Sequence, residues 1–503
     1  MVTPERDGRA IFKILKGVVN DGTGARLGTL SLSKRRPIET PNFIALTARG
    51  AVPHLTPDNV SKRTELGGVY VALEDFMELT LHKKTAALVE MKSKTKEPLQ
   101  AYTAMPSHVV TIMGARRHPA INSPLGNSKD SISIFTSTGF RNLTNEVYCQ
   151  SIDAVRPDVV IPLADMTYAA TSDSAESKRR TKPANAKRQT RMVERTEDWL
   201  AEFFKLSTSA EGGQGETAHV FAPVLPLDYK TQWEYIDQLD SDFSDRLSGL
   251  ALYDADILPD LAKHDSLTSL PRLSLDATAT PHEILRQIQL GIDIFTIPFL
   301  NTISDAGIAL SFTFPPPTGS DGGILPLGID MSTPEHEVAV APLVEGCKCY
   351  ACTKHHRAYL HHLLNAREML AWTLLHIHNC QVLVEFFAGV RASLAEEDPA
   401  KFEKQCAEFT RVYDSELPAG TGARPRARGY NFKSQGGDAP ANTPAWGKYG
   451  GAAQNESDPA LAGEMAGLAV TGPAAEGNET PLVPDPEADA VDLDKKGFAE
   501  ISK

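Results

Sequence analysis

The chain has 503 residues, of which 41% are hydrophobic and 23% charged. That balance fits a soluble globular protein with a large core and excludes a chain that is disordered throughout. A formal charge of −13 argues against a protein that coats nucleic acid over its whole surface, while leaving room for a local basic patch. There is no run of about 18 apolar residues, and the N-terminal MVTPERDGRAIFKILKG lacks an apolar core, so neither a membrane span nor a secretory signal is expected and the cytosol is the default compartment.

Residues 9–50 read as strands and turns: IFKILKGVV is apolar and β-branched, GTGARLGTL carries turn glycines, and ETPNFIALTARG follows. From about residue 65 strands alternate with helices. The strand candidates are GGVYVALED, SISIFTSTGF, DVVIPLAD, HVFAPVLPLDY, LSGLALYDA, PRLSLDATA and GIDIFTIPF. Most precede a helical stretch, such as EVYCQSIDAV, RQTRMVERTEDWLAEFFK or TPHEILRQIQL; ELTLHKKTAALVEMKSK is an amphipathic helix candidate after the first of them. Repeated strand–helix units favour a parallel α/β fold, either a closed (β/α)8 barrel or a doubly wound sheet. No Gly-x-Gly-x-x-Gly or Walker pattern follows a strand, which weakens the nucleotide-binding sheet. In a barrel the chemistry sits at the C-terminal strand ends, which directs attention to Thr136–Phe140, Asp165, Leu225–Leu227, Tyr253, Asp254 and Thr296.

One block is strongly basic. Lys178, Arg179, Arg180, Lys182, Lys187, Arg188 and Arg191 are candidate contacts to an RNA or DNA backbone, with a solvated loop as the ordinary alternative. From Leu417 onward Gly, Pro, Ala, Asn, Asp and Glu dominate without periodicity, which predicts a low-complexity, disordered tail; the small cluster Arg424, Arg426 and Arg428 lies in it.

The most specific feature lies just before that tail. Cys347, Cys349 and Cys352 are followed, after twenty-five residues, by His378. Three thiolates and an imidazole make a closed structural zinc site, and an intracellular Cys-x-Cys-x-x-Cys reads as metal-binding more often than as a disulfide framework. Between them Tyr359, Leu363, Ala366, Leu370, Leu374 and Ile377 recur at helical spacing, with His378 on the inward edge of the stripe and His361 and His376 off it. His355, His356 and His362 lie nearer the cysteines, so spacing alone leaves a local ligand set open. FFAGVRASLAEEDPAKFEKQCAEFTRVY continues as helix to about Tyr413.

Over about residues 10–410 the chain resembles the queuine tRNA-ribosyltransferase, or tRNA-guanine transglycosylase, family. The resemblance rests on Cys347, Cys349, Cys352 and His378 with the helix AYLHHLLNAREMLAWTLLHIHN, on Ala25-Arg26-Leu27-Gly28, on Thr40-Pro41 with Phe43, and on GIDIF at 291–295. It implies a TIM barrel over residues 1–345, a zinc-binding helical subdomain over 346–413 with one structural Zn2+, and a tail over 414–503. It also implies base exchange in tRNA: a carboxylate attacks the ribose C1′ and expels guanine from the wobble position, queuine then displaces the carboxylate, and a second carboxylate acts as general acid/base.

Where the family carries those two carboxylates, this chain has Thr296 and Thr136. A carboxylate with a pKa of about 4 is ionised at neutral pH, whereas a hydroxyl needs an adjacent base and is a poor general acid or base. The Gly-rich loop is altered to Ser248-Gly249-Leu250-Ala251-Leu252-Tyr253-Asp254, and Leu225 stands where a base-reading Gln is expected; Asp165 is either a relic of the base-binding carboxylate or an ordinary loop residue. The combination implies a non-catalytic subunit with no catalytic residues of its own, paired with a catalytic homologue on tRNAs with GUN anticodons (Asp, Asn, His, Tyr). On this reading Lys178, Arg179, Arg180, Lys187, Arg188 and Arg191 are the candidate tRNA contacts. The alternatives are an active transglycosylase with a relocated nucleophile at Asp293 or Asp254, and a zinc-containing α/β protein that binds no tRNA. Asp293 lies an odd offset from Thr296, which in one strand would put the two on opposite faces.

Overall fold

A computed structural model describes residues 11–17, 24–77, 87–121, 126–136, 139–166, 184–209, 218–317, 323–422 and 424–425. The chain opens with an antiparallel sheet of β1 (Phe12–Lys16), β2 (Leu27–Leu30) and β3 (Ile38–Thr40). Next come β4 (Asn42–Leu46), α1 (Pro57–Arg63), β5 (Gly68–Ala72), β6 (Val110–Gly114), a hairpin of β7 (Ser131–Thr136) and β8 (Gly139–Thr144), α2 (Asn145–Val155), β9 (Val159–Val160) and α3 (Ala186–Ser209). The second half holds β10 (His219–Val224), β11 (Gly249–Leu252), β12 (Arg272–Ser274), α4 (Pro281–Leu290), β13 (Ile294–Thr296) and α5 (Pro298–Asp305). It ends with the pair β14 (Ile308–Leu310) and β15 (Gly328–Asp330), then α6 (Tyr350–Lys354), α7 (Arg357–Asn365), α8 (Met369–Ala395) and α9 (Pro399–Val412).

Eight parallel strands close into a barrel in the order β4, β5, β6, β9, β10, β11, β12, β13 and back to β4, where Phe295 pairs with Phe43 and Thr296 with Ile44. The closed (β/α)8 architecture is thus the one present, and the doubly wound sheet is not. Strands buried on both faces need apolar residues at every position, and β5, β6 and β11 are buried throughout. The strand period of two divides their side chains. Ile44, Leu46, Tyr70, Ile112, Phe221, Leu273 and Ile294 fill the barrel interior, while Phe43, Ala45, Val69, Val71 and Met113 join the larger cluster under the helices. Leu30 and Ile38 belong to the interior cluster, so the opening three-stranded sheet plugs the N-terminal end of the barrel.

Local sequence explains the joints. Thr280 caps α4 by accepting the Glu283 N–H, Pro281 fits the first turn, and Gly291 ends the helix at φ 104°, in the left-handed region that suits glycine. At Gly389 any Cβ would lie 1.7 Å from the Phe314 carbonyl oxygen, so α8 can cross that segment only without a side chain there. On the same helix Phe387 stacks on Phe43 and packs against Phe295, so α8 covers the seam between β13 and β4.

Three expectations differ in detail. SISIFTSTGF is not a barrel strand but part of the β7–β8 hairpin at the barrel's C-terminal end, paired from Ser131–Thr144 to Thr136–Gly139. The helix through His378 is broken: Ala366–Glu368 form a turn with Arg367 at φ 56°, so Ala366 and Leu370 are exposed and the apolar stripe does not run through. A second break follows Ala395, where Asp398 and Pro399 start α9 with the Asp398 carboxylate accepting the Ala400 N–H. The predicted helix ELTLHKKTAALVEMKSK falls partly on residues 78–86, outside the described residues, and is helical from Ala87 to Glu90. The predicted tail lies outside them from 426 on; before that, Thr421 donates to Asp330 through both its backbone N–H and its hydroxyl.

Candidate functional site

Cys347, Cys349, Cys352 and His378 come together, with all four donor atoms within 4.8 Å of one another. Cys349 caps α6, its Sγ accepting the Cys352 N–H at 3.2 Å, so the short helix sets two of the sulfurs. His378 projects from α8 and presents Nδ1 to the three Sγ atoms at 3.6, 3.5 and 3.4 Å. A tetrahedral zinc with Zn–S about 2.3 Å and Zn–N about 2.0 Å has an S–N edge of about 3.5 Å, so the donor set is spaced for that ion. Hydrogen bonds from Cys347 and Cys349 hold the Cys352 thiol down, to about 3, and hydrogen bonds to Cys347 and Cys352 push the Cys349 thiol up. One sulfur gains thiolate character at its neighbours' expense, the state a metal ion would impose on all three. The other histidines have different partners. His356 caps α7 with its Nδ1, His355 stacks on Tyr359, His361 meets the Met331 carbonyl, His376 meets Ser304 Oγ at 3.0 Å, and His362 is exposed.

The same helix is bolted to the end of the barrel chain. His378 donates through Nε2 to the Leu310 carbonyl at 2.9 Å, which leaves Nδ1 for the sulfurs. The adjacent Asn379 accepts the Leu310 N–H at 2.8 Å and donates to the Ile308 carbonyl and to Ser304 Oγ, each at 3.0 Å. Asn379 therefore satisfies the edge of β14 that β15 does not reach. Arg63 lies over the Tyr350 ring at 4.2 Å, joining α1 to the cysteine knuckle.

At the C-terminal mouth of the barrel the chemistry is subdued. Thr136 and Thr296 are both buried, and each hydroxyl donates to a backbone carbonyl, Thr136 to Gly139 and Thr296 to Ser274, both at 2.9 Å. Neither of these bonds meets a base that could activate the oxygen. Asp293 is at the other end of the barrel: it precedes β13, is buried, and is held bidentately by Arg26, with the Arg272 N–H donating to it as well. That place rules it out as a nucleophile at the mouth. Asp254 is half-buried after β11 and caps the following turn by accepting the Asp256 N–H. Leu225 is buried, and its carbonyl accepts from Gln232.

Two carboxylates that sequence reasoning passed over, Glu74 and Asp75, also lie here, buried after β5. Arg117 and the Phe135 and Arg49 N–H groups engage all four of their oxygens. Burial pushes both acids up, against the pull of Arg117. This network pins the β7–β8 hairpin onto the mouth. Beside it Tyr70, Arg116, Arg117, His118, Tyr253 and Leu275 line a cavity of about 30 Å³, room for about two waters.

Asp165, buried beyond β9, is fully engaged. Arg188 grips it with two bonds of 2.8 and 2.5 Å, Arg195 adds one of 3.0 Å and Asn127 one of 2.7 Å. Of the basic block, Lys178, Arg179, Arg180 and Lys182 lie outside the described residues, Lys187 and Arg191 are exposed on the first turns of α3, and Arg188 faces inward to Asp165.

A family model described as Queuine tRNA-ribosyltransferase matches residues 21–414. The chain belongs to that family. It is 34% identical over 427 residues to the Queuine tRNA-ribosyltransferase accessory subunit 2 of Schizosaccharomyces pombe, covering 84% of this chain and 89% of that protein. Proteins of the same description from Culex quinquefasciatus and Anopheles gambiae are 30% and 27% identical; each match covers 74% of this chain, with 86% and 85% of the relative.

Within this queuine tRNA-ribosyltransferase fold the Cys3His group is the one cluster among the described residues with metal-holding geometry. No helix among them is long and apolar enough to cross a membrane. Asn379 was missed by sequence reasoning, although a polar residue beside His378 in an otherwise apolar stretch was the available signal, because a buried amide must find partners.

Proposed function

We propose that the chain is the non-catalytic subunit of a queuine tRNA-ribosyltransferase. It pairs with a catalytic homologue and supports exchange of guanine for queuine at the wobble position of tRNAs with GUN anticodons. The observation that carries this reading is the pairing of Thr136 and Thr296, buried with their hydroxyls given to backbone carbonyls, with a Cys3His group spaced for a metal. The scaffold is kept and the nucleophile is not. The accessory-subunit description of the relatives supports the same assignment. On this reading the metal is one structural Zn2+, bound by Cys347, Cys349, Cys352 and His378, which ties the knuckle to α8. The basic segment including Lys187 and Arg191 contributes tRNA backbone contacts, and the protein works in the cytoplasm.

Co-expression with a catalytic homologue is expected to yield a 1:1 complex that releases guanine from tRNA. The chain alone, incubated with tRNA and a guanine analogue, is expected to give neither guanine release nor a covalent adduct on a denaturing gel. Full activity of the isolated chain, or a trapped adduct, would overturn the assignment and favour a relocated carboxylate such as Asp254.

A further inference from the structure

The basic block contains an internal division that its sequence does not reveal. The exposed cations on the first turns of α3 are Lys187 and Arg191, followed on the same face by Glu194 and Asp198. The opposite face carries Arg188, Met192, Arg195, Thr196 and Trp199, directed at the barrel. Asp165 is the centre of that inner face: it takes both terminal nitrogens of Arg188, one from Arg195 and the amide of Asn127, and its own backbone N–H donates to the Thr196 hydroxyl at 3.0 Å. Asn185 completes the start of the helix by accepting the Arg188 N–H at 2.9 Å. A paired guanidinium grip fixes orientation as well as distance, which a lysine ammonium cannot do.

We infer that Asp165 and Arg188 form a buried clasp that positions the start of α3, so that Lys187 and Arg191, and not Arg188, are the phosphate-contacting cations of this helix. This rests on the tRNA reading above and refines it. The RNA backbone lies over the first two turns of α3, bounded by the acidic pair Glu194 and Asp198. Arg188 is a positioning residue: its charge is spent on Asp165, and its effect on RNA reaches the surface through the helix.

The test uses the assembled complex with its catalytic homologue and a tRNA with a GUN anticodon, titrated over a range of salt. Lys187→Ala with Arg191→Ala removes two contacts. It is expected to weaken binding and to flatten the slope of log K against log salt by about 1.4 to 1.8, at roughly 0.7 to 0.9 per phosphate. Arg188→Lys keeps the charge and Asp165→Asn removes a negative one, so a contact that depends on charge alone would leave binding equal or tighter. The clasp predicts the opposite: both variants bind several-fold more weakly, and amide exchange quickens in the first turns of α3. Wild-type affinity in Arg188→Lys, or tighter binding in Asp165→Asn, would overturn the clasp. If Asp165→Asn does not assemble, Arg188→Lys decides, because it leaves Asp165 paired with Arg195 and Asn127. Affinity and slope unchanged by Lys187→Ala with Arg191→Ala would overturn the assignment of those two contacts, and an absence of salt-dependent binding by the wild-type complex would overturn the tRNA reading itself.

Discussion

Replacing Asn379 with alanine tests how the metal helix is joined to the barrel. The side chain makes three buried hydrogen bonds, to the Leu310 N–H, the Ile308 carbonyl and Ser304 Oγ. Ser304 keeps a partner in His376, but the two backbone groups of β14 lose theirs. A buried polar group left unpaired costs about 1–3 kcal/mol, so Asn379→Ala is expected to cost ~4 kcal/mol, a large part of the roughly 5–15 kcal/mol that separates folded from unfolded domains. Urea denaturation of the metal-loaded protein should show a lower midpoint with an unchanged slope. Because His378 is the next residue and also bonds Leu310, zinc transfer to a competing chelator should quicken as well. Asn379→Asp keeps an acceptor for the Leu310 N–H but turns a carboxylate oxygen toward the Ile308 carbonyl, and is expected to cost at least as much. A loss below about 1 kcal/mol in Asn379→Ala would refute the reasoning, since even one orphaned group exceeds it.

Metal analysis should find about one zinc per chain. Cys349→Ala should lower that content and the melting temperature together, and full zinc with unchanged melting would remove the assignment. Asp293→Asn leaves Arg26 buried and poorly paired, and is expected to destabilise the fold by about 3–5 kcal/mol while the folded complex still binds tRNA; an unchanged melting curve would contradict the plug at the barrel's N-terminal end. Burial holds His118 down to about 4 from an ordinary 6.5. Its contribution to stability is therefore present above pH 6.5 and lost as pH falls through about 4, by at most ~3 kcal/mol. The stability difference between the wild type and His118→Gln should shrink over that window, and a difference independent of pH would refute the burial argument. Thr136→Asp with Thr296→Asp, paired with an inactivated catalytic subunit, should not restore guanine release; recovery would show that the mouth still admits a base.

Most of the barrel was legible because its strands are buried on both faces, although β6 (Val110–Gly114) was not among the strand candidates. GGVYVALED, HVFAPVLPLDY and GIDIFTIPF had to be apolar throughout, and short apolar runs between turn residues are the pattern such strands leave. The Cys3His group was legible because three cysteines within six residues restrict the chemistry before any folding is known. What escaped were features set by long-range partners. SISIFTSTGF carries the composition of a buried strand, yet it folds as a hairpin because Glu74 and Arg117, more than ten residues upstream, hold it to the mouth. The break at Ala366–Glu368 escaped because no glycine or proline marks it; Arg367 adopts the left-handed conformation there without a local signal. The basic block could be counted but not divided, since nothing in its composition says that Arg188 turns inward to Asp165, a carboxylate beyond β9.

The two ends of the site have been treated differently by the same fold. At the mouth three acids are neutralised in place: Asp165 by Arg188, Arg195 and Asn127, and Glu74 and Asp75 by Arg117 and backbone N–H groups. Burying a carboxylate costs several kcal/mol unless it is paired and hydrogen-bonded, so these partners are what allow the acids to remain buried at the mouth. At the knuckle the opposite holds, because the donors are left mutually facing and only a cation can satisfy three sulfurs at once. A catalytic subunit would need the reverse at the mouth, with at least one carboxylate open to substrate. The arrangement therefore does more than place Thr136 and Thr296 at the mouth: Asp165, Glu74 and Asp75 there hold α3 and the β7–β8 hairpin in position.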